Sequence, residues 1–323
     1  IARGGILHIQ SSARGMNGLM LVQLVNSLIR ILAESKTTMK FGTIPVNIGM
    51  PADMMIGFAQ AAEQAGLESV WTFEHVMVPE NYESKYPYDS SGKMGASPET
   101  SFLDPLIALS AIANATSTIR LGTGVNILSQ ANPLLLAKQV ASLDSVSNGR
   151  FMLGAGIGWL REEFDAMGVP FEKRGARFDD YVQAMRKVWS GDTVEHSSEF
   201  INWSGFKSYP LPVQNPFPVI MGGDSGKIYE RIAKYGDGWY APTKSPEDLA
   251  PRLDQLKQVC EDEGRDYSEI EITAMWALKG GLDTVKQYGD MGVHRLNIPI
   301  LAMGEPNPMD GLTKLHDEVI SKA

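Results

Sequence analysis

The stretch Ile119–Trp159, IRLGTGVNILSQANPLLLAKQVASLDSVSNGRFMLGAGIGW, predicts a strand, a helix and a second strand in that order. Both predicted strands are short apolar runs that end in glycines. Those glycines are Gly122 and Gly124 in the first strand and Gly154, Gly156 and Gly158 in the second. Glycine at the carboxyl end of a buried parallel strand lets a flat or phosphorylated ligand approach the backbone closely. Neighbouring strand ends of this kind are typical of the mouth of an α/β barrel, where such enzymes place their active sites.

The alternation continues along the chain from Lys40 onward. Short apolar runs predict eight strands, at 40–47, 69–74, 119–126, 151–155, 217–222, 237–241, 269–276 and 293–299. Helical patterns lie between them at 53–65, 103–116, 133–147, 160–190, 225–235, 246–263 and 283–291, and a last helix is predicted at 308–322. Alternating strands and helices imply a parallel sheet. Eight strands favour a closed TIM (β/α)8 barrel over an open doubly wound sheet, so we expect an α/β barrel domain at 39–323.

Two segments interrupt this alternation. Residues 78–102 form a long polar loop after the second predicted strand, and loops of that length in compact domains are commonly functional or disordered. Its tyrosines, Tyr82, Tyr86 and Tyr88, favour a lid or substrate wall, whereas its proline, glycine and serine content permits disorder. Residues 192–216 contain a predicted hairpin near 193–203, so we expect an insertion after the fourth strand and its helix.

Composition narrows the classes of function. The net charge of −9 argues against a general nucleic-acid binder and against binding to an anionic membrane surface. The single cysteine, Cys260, excludes an internal disulfide, which fits a reducing cytoplasm. We expect residues 1–38 to be an extension ahead of the barrel, with a signal or transit peptide as the alternative. The run from Leu19 to Leu32 in this extension contains polar residues and is too short to span a membrane.

The second predicted strand ends in Glu74 and His75. A barrel places ligand contacts and proton-transfer groups at this position, and an adjacent acid and imidazole suit both roles. The structural alternative is a helix-capping pair in a loop. The other histidines lie in the extension, in the insertion, at the bottom of the barrel and on the final helix; they are His8, His196, His294 and His316. We therefore take His75 and Glu74 as the candidate catalytic residues.

Three further strand ends carry candidate binding residues. A flat ring packed on the third strand needs a missing side chain, which Gly124 supplies, although close helix–strand packing is the alternative. Small residues leading from the fifth strand into a helix make an anion site through free N–H groups, unless Asp224 or Ser225 simply caps the helix. Arg174 and Arg177 share a helix face and could reach a phosphate, with a salt-bridged helix entry as the alternative. The candidate cofactor contacts are Thr123, Gly124, Val125, Asn126, Gly156, Gly158, Trp159, Gly222, Gly223 and Ser225.

The sequence offers no metal site and no protein nucleophile that can be identified by motif. It contains no HxH, HExxH or paired cysteines at ligand spacing, and GxSxG is absent. The glycines at 156–158 do not match the dinucleotide-binding fingerprint. An organic cofactor is therefore the expected source of the chemistry.

Several of these segments together resemble the bacterial-luciferase-like superfamily of flavin- and deazaflavin-dependent oxidoreductases. The similar segments are SVWTFEHV, TIRLGTGVNIL, NPLLLAKQVASLDSVSNGRFMLGAGIGW, EEFDAMGVPFEKRGARFDDYVQAMRKVW and PFPVIMGGDSGKIYERIAKYGDGWY. They span five strands in the order of that family, and the resemblance runs from about Met39 to the C-terminus. It implies a TIM barrel with an insertion, often dimeric, whose mouth holds an isoalloxazine or deazaflavin ring.

The resemblance also implies roles for particular residues. A bulge or non-proline cis peptide at Gly124-Val125 would support the face of the ring, and Glu74 and His75 would lie near its reactive edge. The ribityl-phosphate tail would contact the glycines that follow strands four and five, with Ser225 close by; these are Gly156, Gly158, Gly222 and Gly223. The pattern is most similar to the branch that uses coenzyme F-420, which has Asp-His in place of Glu74-His75. FMN-using monooxygenases share most of the same motifs.

We therefore expect an enzyme, a luciferase-like oxidoreductase that uses coenzyme F-420 or FMN. The favoured reaction is F-420-dependent hydride transfer to or from a small organic substrate. The first alternative is a two-component monooxygenase that uses reduced FMN, consumes oxygen and needs a separate flavin reductase. The second is a flavin-binding protein without turnover. The resemblance further implies a homodimer, and we expect a cytoplasmic protein with no nucleic-acid or membrane partner.

Overall fold

Eight parallel strands close into a barrel within residues 39–224, 226–243, 245–304 and 307–323, which the computed structural model describes. The barrel strands are β1 (Lys40–Ile44), β2 (Ser69–Thr72), β3 (Arg120–Thr123), β5 (Phe151–Gly156), β8 (Val219–Gly222), β9 (Gly238–Ala241), β10 (Glu271–Met275) and β11 (Arg295–Pro299). Their order is β3-β2-β1-β11-β10-β9-β8-β5, and pairing of β5 with β3 closes the ring. The short strand β4 (Asn126–Ile127) extends the third strand and pairs with β5. The predicted TIM barrel is confirmed.

Helices surround the barrel and connect its strands. They are α1 (Ala52–Gln64), α2 (Pro105–Ala115), α3 (Pro133–Val146), α4 (Arg161–Ala166), α5 (Arg174–Trp189), α6 (Ile228–Tyr235), α7 (Pro246–Glu263), α8 (Gly281–Asp290) and α9 (Pro308–Glu318). Asp104, Asn132 and Ser245 cap α2, α3 and α7 through their side chains, and proline follows each cap. Within the described part of the chain, no helix combines the length and apolarity needed to cross a membrane.

The predicted insertion is present. After α5 the chain forms an antiparallel hairpin of β6 (Val194–Ser197) and β7 (Asn202–Phe206) before it returns to the barrel at β8. The hairpin is held to α5 by Asp180, whose carboxylate accepts hydrogen bonds from Ser198 Oγ at 2.8 Å and pairs with His196 Nε2 at 2.8 Å. His196 therefore has a structural partner at a distance from the barrel strands.

The prediction of one continuous helix at 160–190 is wrong. The structure breaks it into α4 and α5 around Gly168, which has a φ of +68°, and Pro170, which cannot donate a helical hydrogen bond. The buried Arg177 side chain donates to the carbonyl oxygens of Pro170, Glu172 and Ser129 and thereby satisfies acceptors that the break leaves free. Arg177 thus has a structural role, through carbonyl groups rather than the ion pair expected at a helix entry.

The last helix is also shorter than predicted. It ends at Glu318, and a separate 3-10 turn covers Ile320–Lys322. Val319, which lies between the helix and this turn, has a φ of −126° and interrupts the helical backbone.

Large side chains fill the barrel interior in spaces that glycines leave. Trp71 is fully buried and its ring stacks on Tyr240, with centroids 5.6 Å apart. A Cβ at Gly122 would lie 2.4 Å from the Trp71 ring, and one at Gly42 would lie 3.1 Å from its Nε1. Because neither glycine has a side chain, the large ring of Trp71 fits between the neighbouring strands β1 and β3.

An ion-pair network closes the amino-terminal end of the barrel. Arg295, at the start of β11, is fully buried, and its guanidinium contacts Glu68 at 2.7 and 2.8 Å and Glu271 at 2.5 Å. Burial alone would raise the pKa of Glu271, but the charges of Arg295 and Lys40 lower it to about 2. The barrel therefore has this ion-pair network at its amino-terminal end and its candidate site at the opposite end.

We expect the substitution Gly154→Ala to destabilise the protein by about 3 kcal/mol or more, because a Cβ there would lie 1.7 Å from the backbone oxygen of Thr123. Gly57→Ala is the matched control. Gly57 lies inside α1 and its added Cβ would meet only Met309 Cε, at 3.8 Å. The free energy of unfolding of this control should rise by about 0.5–1 kcal/mol, because alanine has a higher helix propensity than glycine. Urea unfolding followed by circular dichroism gives both values, and equal stabilities for the two variants would contradict the packing argument.

Candidate active site

The carboxyl ends of the barrel strands bring several of the predicted residues to one edge of the structure. Glu74 and His75 follow β2, Val125 and Asn126 follow β3, and Gly222 ends β8. Parallel strands place these ends side by side, and this is the face where barrel enzymes carry out their chemistry. We call this region the barrel mouth.

Glu74 is held at the mouth by the neighbouring strand end. Its Oε1 accepts a hydrogen bond from Asn126 Nδ2 at 3.1 Å, and its Oε2 accepts one from the Ile127 N–H. Burial raises the pKa of Glu74, the Ile127 N–H lowers it, and the negative charges of Glu163 and Asp104 raise it further, to about 8. These surroundings favour the neutral, protonated form of Glu74 in the folded protein.

His75 lies beside Glu74 with one ring nitrogen in contact with a carboxylate. Its Nδ1 is 3.3 Å from Glu163 Oε2, and its side chain is 13% exposed. The ring meets Phe102 and Trp159 edge-on, with centroid distances of 5.6 and 6.0 Å. Among the described residues, Nε2 of His75 has no hydrogen-bond partner. That nitrogen is available to a ligand.

Glu163 is a site residue that the sequence did not single out. It lies on α4, is 2% exposed, and reaches the chain that follows His75. Its Oε1 accepts the Val76 N–H at 2.6 Å and the Met77 N–H at 3.4 Å. The available signal was a glutamate next to Phe164 in a short helix directly after the glycine-rich end of β5.

Val125 determines the shape of the mouth. The peptide bond between Gly124 and Val125 is cis, as the resemblance implies. A Cβ at Gly156 would lie 2.6 Å from Val125 Cγ2, and one at Gly222 would lie 2.4 Å from Val125 Cγ1. Val125 therefore fills the space that these two glycines leave. Half-buried Phe73, Val125 and Met275 each pack against the interior apolar cluster, and we call these three side chains together the mouth floor.

The other candidate residues after β3 and β5 have partners within the protein. Thr123 is fully buried and donates its hydroxyl to the Gly154 carbonyl oxygen at 2.7 Å. Gly158 has a φ of +76°, and its carbonyl oxygen accepts from Arg174 Nε at 3.1 Å. Arg174 is thus at the rim of the strand end, whereas Arg177 points its guanidinium at carbonyl groups. Asn126 is 3% exposed, and its Oδ1 has no hydrogen-bond partner among the described residues.

At the strand end after β8, Asp224 does not cap the helix, as the alternative to an anion site would require. Asp224 forms an ion pair with Arg252 of α7, and Lys227 occupies the N-cap position of α6 without a side-chain cap bond. Gly223 has a φ of +112°, and a Cβ there would meet only the Tyr88 hydroxyl, at 3.8 Å. Ser225 lies outside the described residues.

The 78–102 loop lies against the mouth from two sides. Its Tyr82 and Tyr86 meet the Trp159 ring at centroid distances of 5.8 and 5.2 Å. Glu162 of α4 accepts the N–H groups of Glu83 and Ser84 at 2.7 and 3.2 Å, which fixes one part of the loop to the end of β5. The Tyr88 hydroxyl reaches the Gly223 region after β8. The loop thus forms an aromatic wall beside His75.

Comparison with known proteins identifies the class. Residues 29–278 match the model of the luciferase-like monooxygenase family, and the chain belongs to that family. An uncharacterized protein of Mycobacterium tuberculosis is 32% identical over 238 residues, which cover 74% of this chain and 82% of the relative. A second uncharacterized protein of that organism is 31% identical over 236 residues, 73% of this chain and 83% of the relative.

Solved structures share the fold at low sequence identity. Coenzyme F-420-dependent tetrahydromethanopterin reductase from Methanopyrus kandleri has a TM-score of 0.69 at 16% identity, covering 88% of this chain and 99% of its own. An F-420-dependent secondary alcohol dehydrogenase has a TM-score of 0.69 at 15% identity, covering 87% and 98%. Monooxygenase RslO1 from Streptomyces bottropensis has a TM-score of 0.66 at 20% identity, covering 88% and 99%. The chain is therefore a luciferase-like oxidoreductase with a TIM barrel fold.

The raised pKa of Glu74 predicts a pH-dependent difference in stability. Its ordinary pKa is 4.5 and its folded pKa is about 8, so its contribution to folding is fully present below pH 4.5 and is lost as the pH rises through 8. Glu74→Gln removes this loss. Between pH 5 and pH 9, the free energy of unfolding of the wild type should fall by about 2 kcal/mol or more relative to that of the variant. The rise in the pKa of Glu74 on folding limits this difference to about 5 kcal/mol.

Urea unfolding of both proteins at the two pH values measures this difference. The matched control is Glu80→Gln, which changes an exposed glutamate of the 78–102 loop and should follow the wild type at both pH values. A constant difference between wild type and Glu74→Gln across this range would contradict the assignment of a neutral Glu74.

Proposed function

We propose that this protein is a coenzyme F-420-dependent oxidoreductase that transfers a hydride to or from a small organic substrate. The observation that carries the proposal is the adjacent pair of Glu74 and His75 at the barrel mouth, where Nε2 of His75 has no hydrogen-bond partner among the described residues. The named activities of the F-420-dependent reductase and alcohol dehydrogenase that share the fold support it.

The residues at the mouth fit a flat cofactor. The mouth floor of Phe73, Val125 and Met275 offers an apolar surface to one face of a ring. The buried Oδ1 of Asn126, without a partner among the described residues, supplies an acceptor at the edge of this surface. The open backbone at Gly223 leaves room beside the strand end after β8. When bound, a deazaflavin supplies a site that accepts or donates a hydride.

The protein side chains supply the accompanying proton chemistry. Hydride transfer to a carbonyl-type substrate requires a proton, and an alcohol substrate must lose one. In the proposal, Nε2 of His75 holds or accepts that proton at the substrate. Glu74 keeps its own proton beside Asn126 and Ile127 and adds no negative charge next to the site. The 78–102 loop, with its tyrosines against Trp159, limits the access of water.

A monooxygenase that uses reduced FMN is the second candidate. The similarity to RslO1 favours it, because that protein is named as a monooxygenase and shares the fold over 88% of this chain. The mouth floor would accept either ring, since it provides apolar contact without a group specific to one cofactor. This candidate would need a separate flavin reductase as partner. A homodimer and a cytoplasmic location are part of the proposal in either case.

Parallel anaerobic titrations with reduced coenzyme F-420 and reduced FMN test the choice of cofactor. We expect saturable binding of F-420 that is about tenfold tighter than binding of FMN, a difference of about 1.4 kcal/mol. Calorimetry and fluorescence quenching give the two dissociation constants. Preference for reduced FMN, with oxygen uptake after addition of a flavin reductase, would establish the monooxygenase instead. Saturable binding with no reaction toward any substrate tested would favour a binding protein.

The substitution His75→Gln tests the catalytic assignment. Turnover is first located by following F-420 absorbance with panels of secondary alcohols, ketones and enones. We expect the variant to bind F-420 about as well as the wild type and to lose roughly 10²-fold or more in kcat, because the proton-transfer group is gone. The control is His316→Gln on α9, which should keep wild-type kcat because His316 contacts the Ala65 carbonyl far from the mouth. Full turnover in His75→Gln would remove His75 from the mechanism.

A further inference from the structure

We propose that Glu163 is the positioning residue of the site: its carboxylate holds His75 as the tautomer with the proton on Nδ1 and leaves Nε2 as the basic nitrogen that faces the ligand. The inference rests on the proposed function for its role in turnover. Its structural content, which nitrogen carries the proton, stands on the geometry around Glu163 alone.

Glu163 reaches three consecutive residues at the end of β2. One oxygen, Oε1, accepts the backbone N–H groups of Val76 and Met77, at 2.6 and 3.4 Å. The other, Oε2, faces His75 Nδ1 at 3.3 Å. The carboxylate is 2% exposed, so water does not compete for these contacts. A single acceptor group on α4 therefore fixes both the backbone after His75 and one edge of its ring.

A carboxylate can only accept hydrogen bonds, which decides the state of the ring. Nδ1 must carry a proton to donate to Glu163, and a neutral imidazole then has its lone pair on Nε2. The edges of Phe102 and Trp159 pack against the ring and restrict its rotation. The orientation and the tautomer of His75 are thus set by separate contacts.

The neighbouring acid does not compete for this role. Glu74 directs its carboxyl oxygens at Asn126 and Ile127 rather than at His75. The negative charge of Glu163 is one cause of the raised pKa of Glu74, so the two acids do not share one function. Each acid at the mouth has a separate task.

Nitrogen-15 NMR on the cofactor-free protein tests the inference directly. The full chain is labelled at its five histidines, and two-bond proton–nitrogen spectra at alkaline pH distinguish a protonated from an unprotonated ring nitrogen. Loss of one ring system in His75→Gln identifies the His75 signals. We expect a protonated Nδ1 and an unprotonated Nε2. A wild-type His75 with its proton on Nε2 overturns the inference, even if no Glu163 variant folds.

The substitution Glu163→Gln separates positioning from support of the backbone. The amide oxygen of Gln can keep the short bond from the Val76 N–H, which places the NH2 group opposite Nδ1. Nδ1 must then accept, so we expect the proton to move to Nε2 while the fold is retained. An unchanged tautomer in a folded Glu163→Gln protein overturns the inference, because a purely structural glutamate would leave the ring unaffected.

Glu162→Gln is the matched control for the spectra. Glu162 precedes Glu163 on α4 and also accepts backbone N–H groups, but those of Glu83 and Ser84 in the 78–102 loop. In the Glu162→Gln variant, His75 should give the same nitrogen-15 spectrum as in the wild type. Movement of the His75 proton to Nε2 in this control would also count against a specific role for Glu163. Failure of the protein to bind either F-420 or FMN would reject the proposed function and would leave the tautomer result unaltered.

Discussion

The barrel axis of this protein is filled by a few large side chains that occupy the volume left by glycines on neighbouring strands. Gly42 and Gly122 make room for Trp71, and Gly156 and Gly222 make room for Val125. A Cβ at any of these positions would overlap or crowd its neighbour, so the glycines and the large residues depend on one another. The mouth floor is the upper layer of this packing.

A buried acid, Glu163, and a half-buried acid, Glu74, lie near one imidazole and give the site its electrostatic character. Glu74 and Glu163 lie close enough for the charge of one to raise the pKa of the other. Glu163 accepts two backbone N–H groups, whereas Glu74 accepts one backbone N–H and one side-chain amide N–H. Burial and the nearby negative charges thus raise the pKa of Glu74 and favour its neutral form.

Local sequence signals predicted the barrel but not its long-range contacts. The eight strands, the hairpin insertion and the candidate pair at 74–75 follow from apolar runs, glycine positions and the alternation of elements. The break between α4 and α5 was missed because the periodic pattern continues across Gly168 and Pro170. The role of Glu163 could not be derived, because its partner His75 lies 88 positions earlier in the chain. The Asp224–Arg252 pair likewise depends on how the strand end after β8 meets α7.

The ion-pair network around Arg295 at the amino-terminal end of the barrel affects how the chain folds during synthesis. Arg295 pairs with Glu68 across 227 positions, and β1 takes β11 as one of its two neighbours. Until the ribosome has released the last strand, β1 keeps an unpaired edge and Glu68 and Glu271 lack their shared guanidinium. Completion of the barrel is thus a late event that joins the first and last strands of the domain. An incomplete chain would expose an open sheet edge of the kind that associates with other chains. The nascent protein is therefore prone to association until β11 leaves the ribosome and pairs with β1.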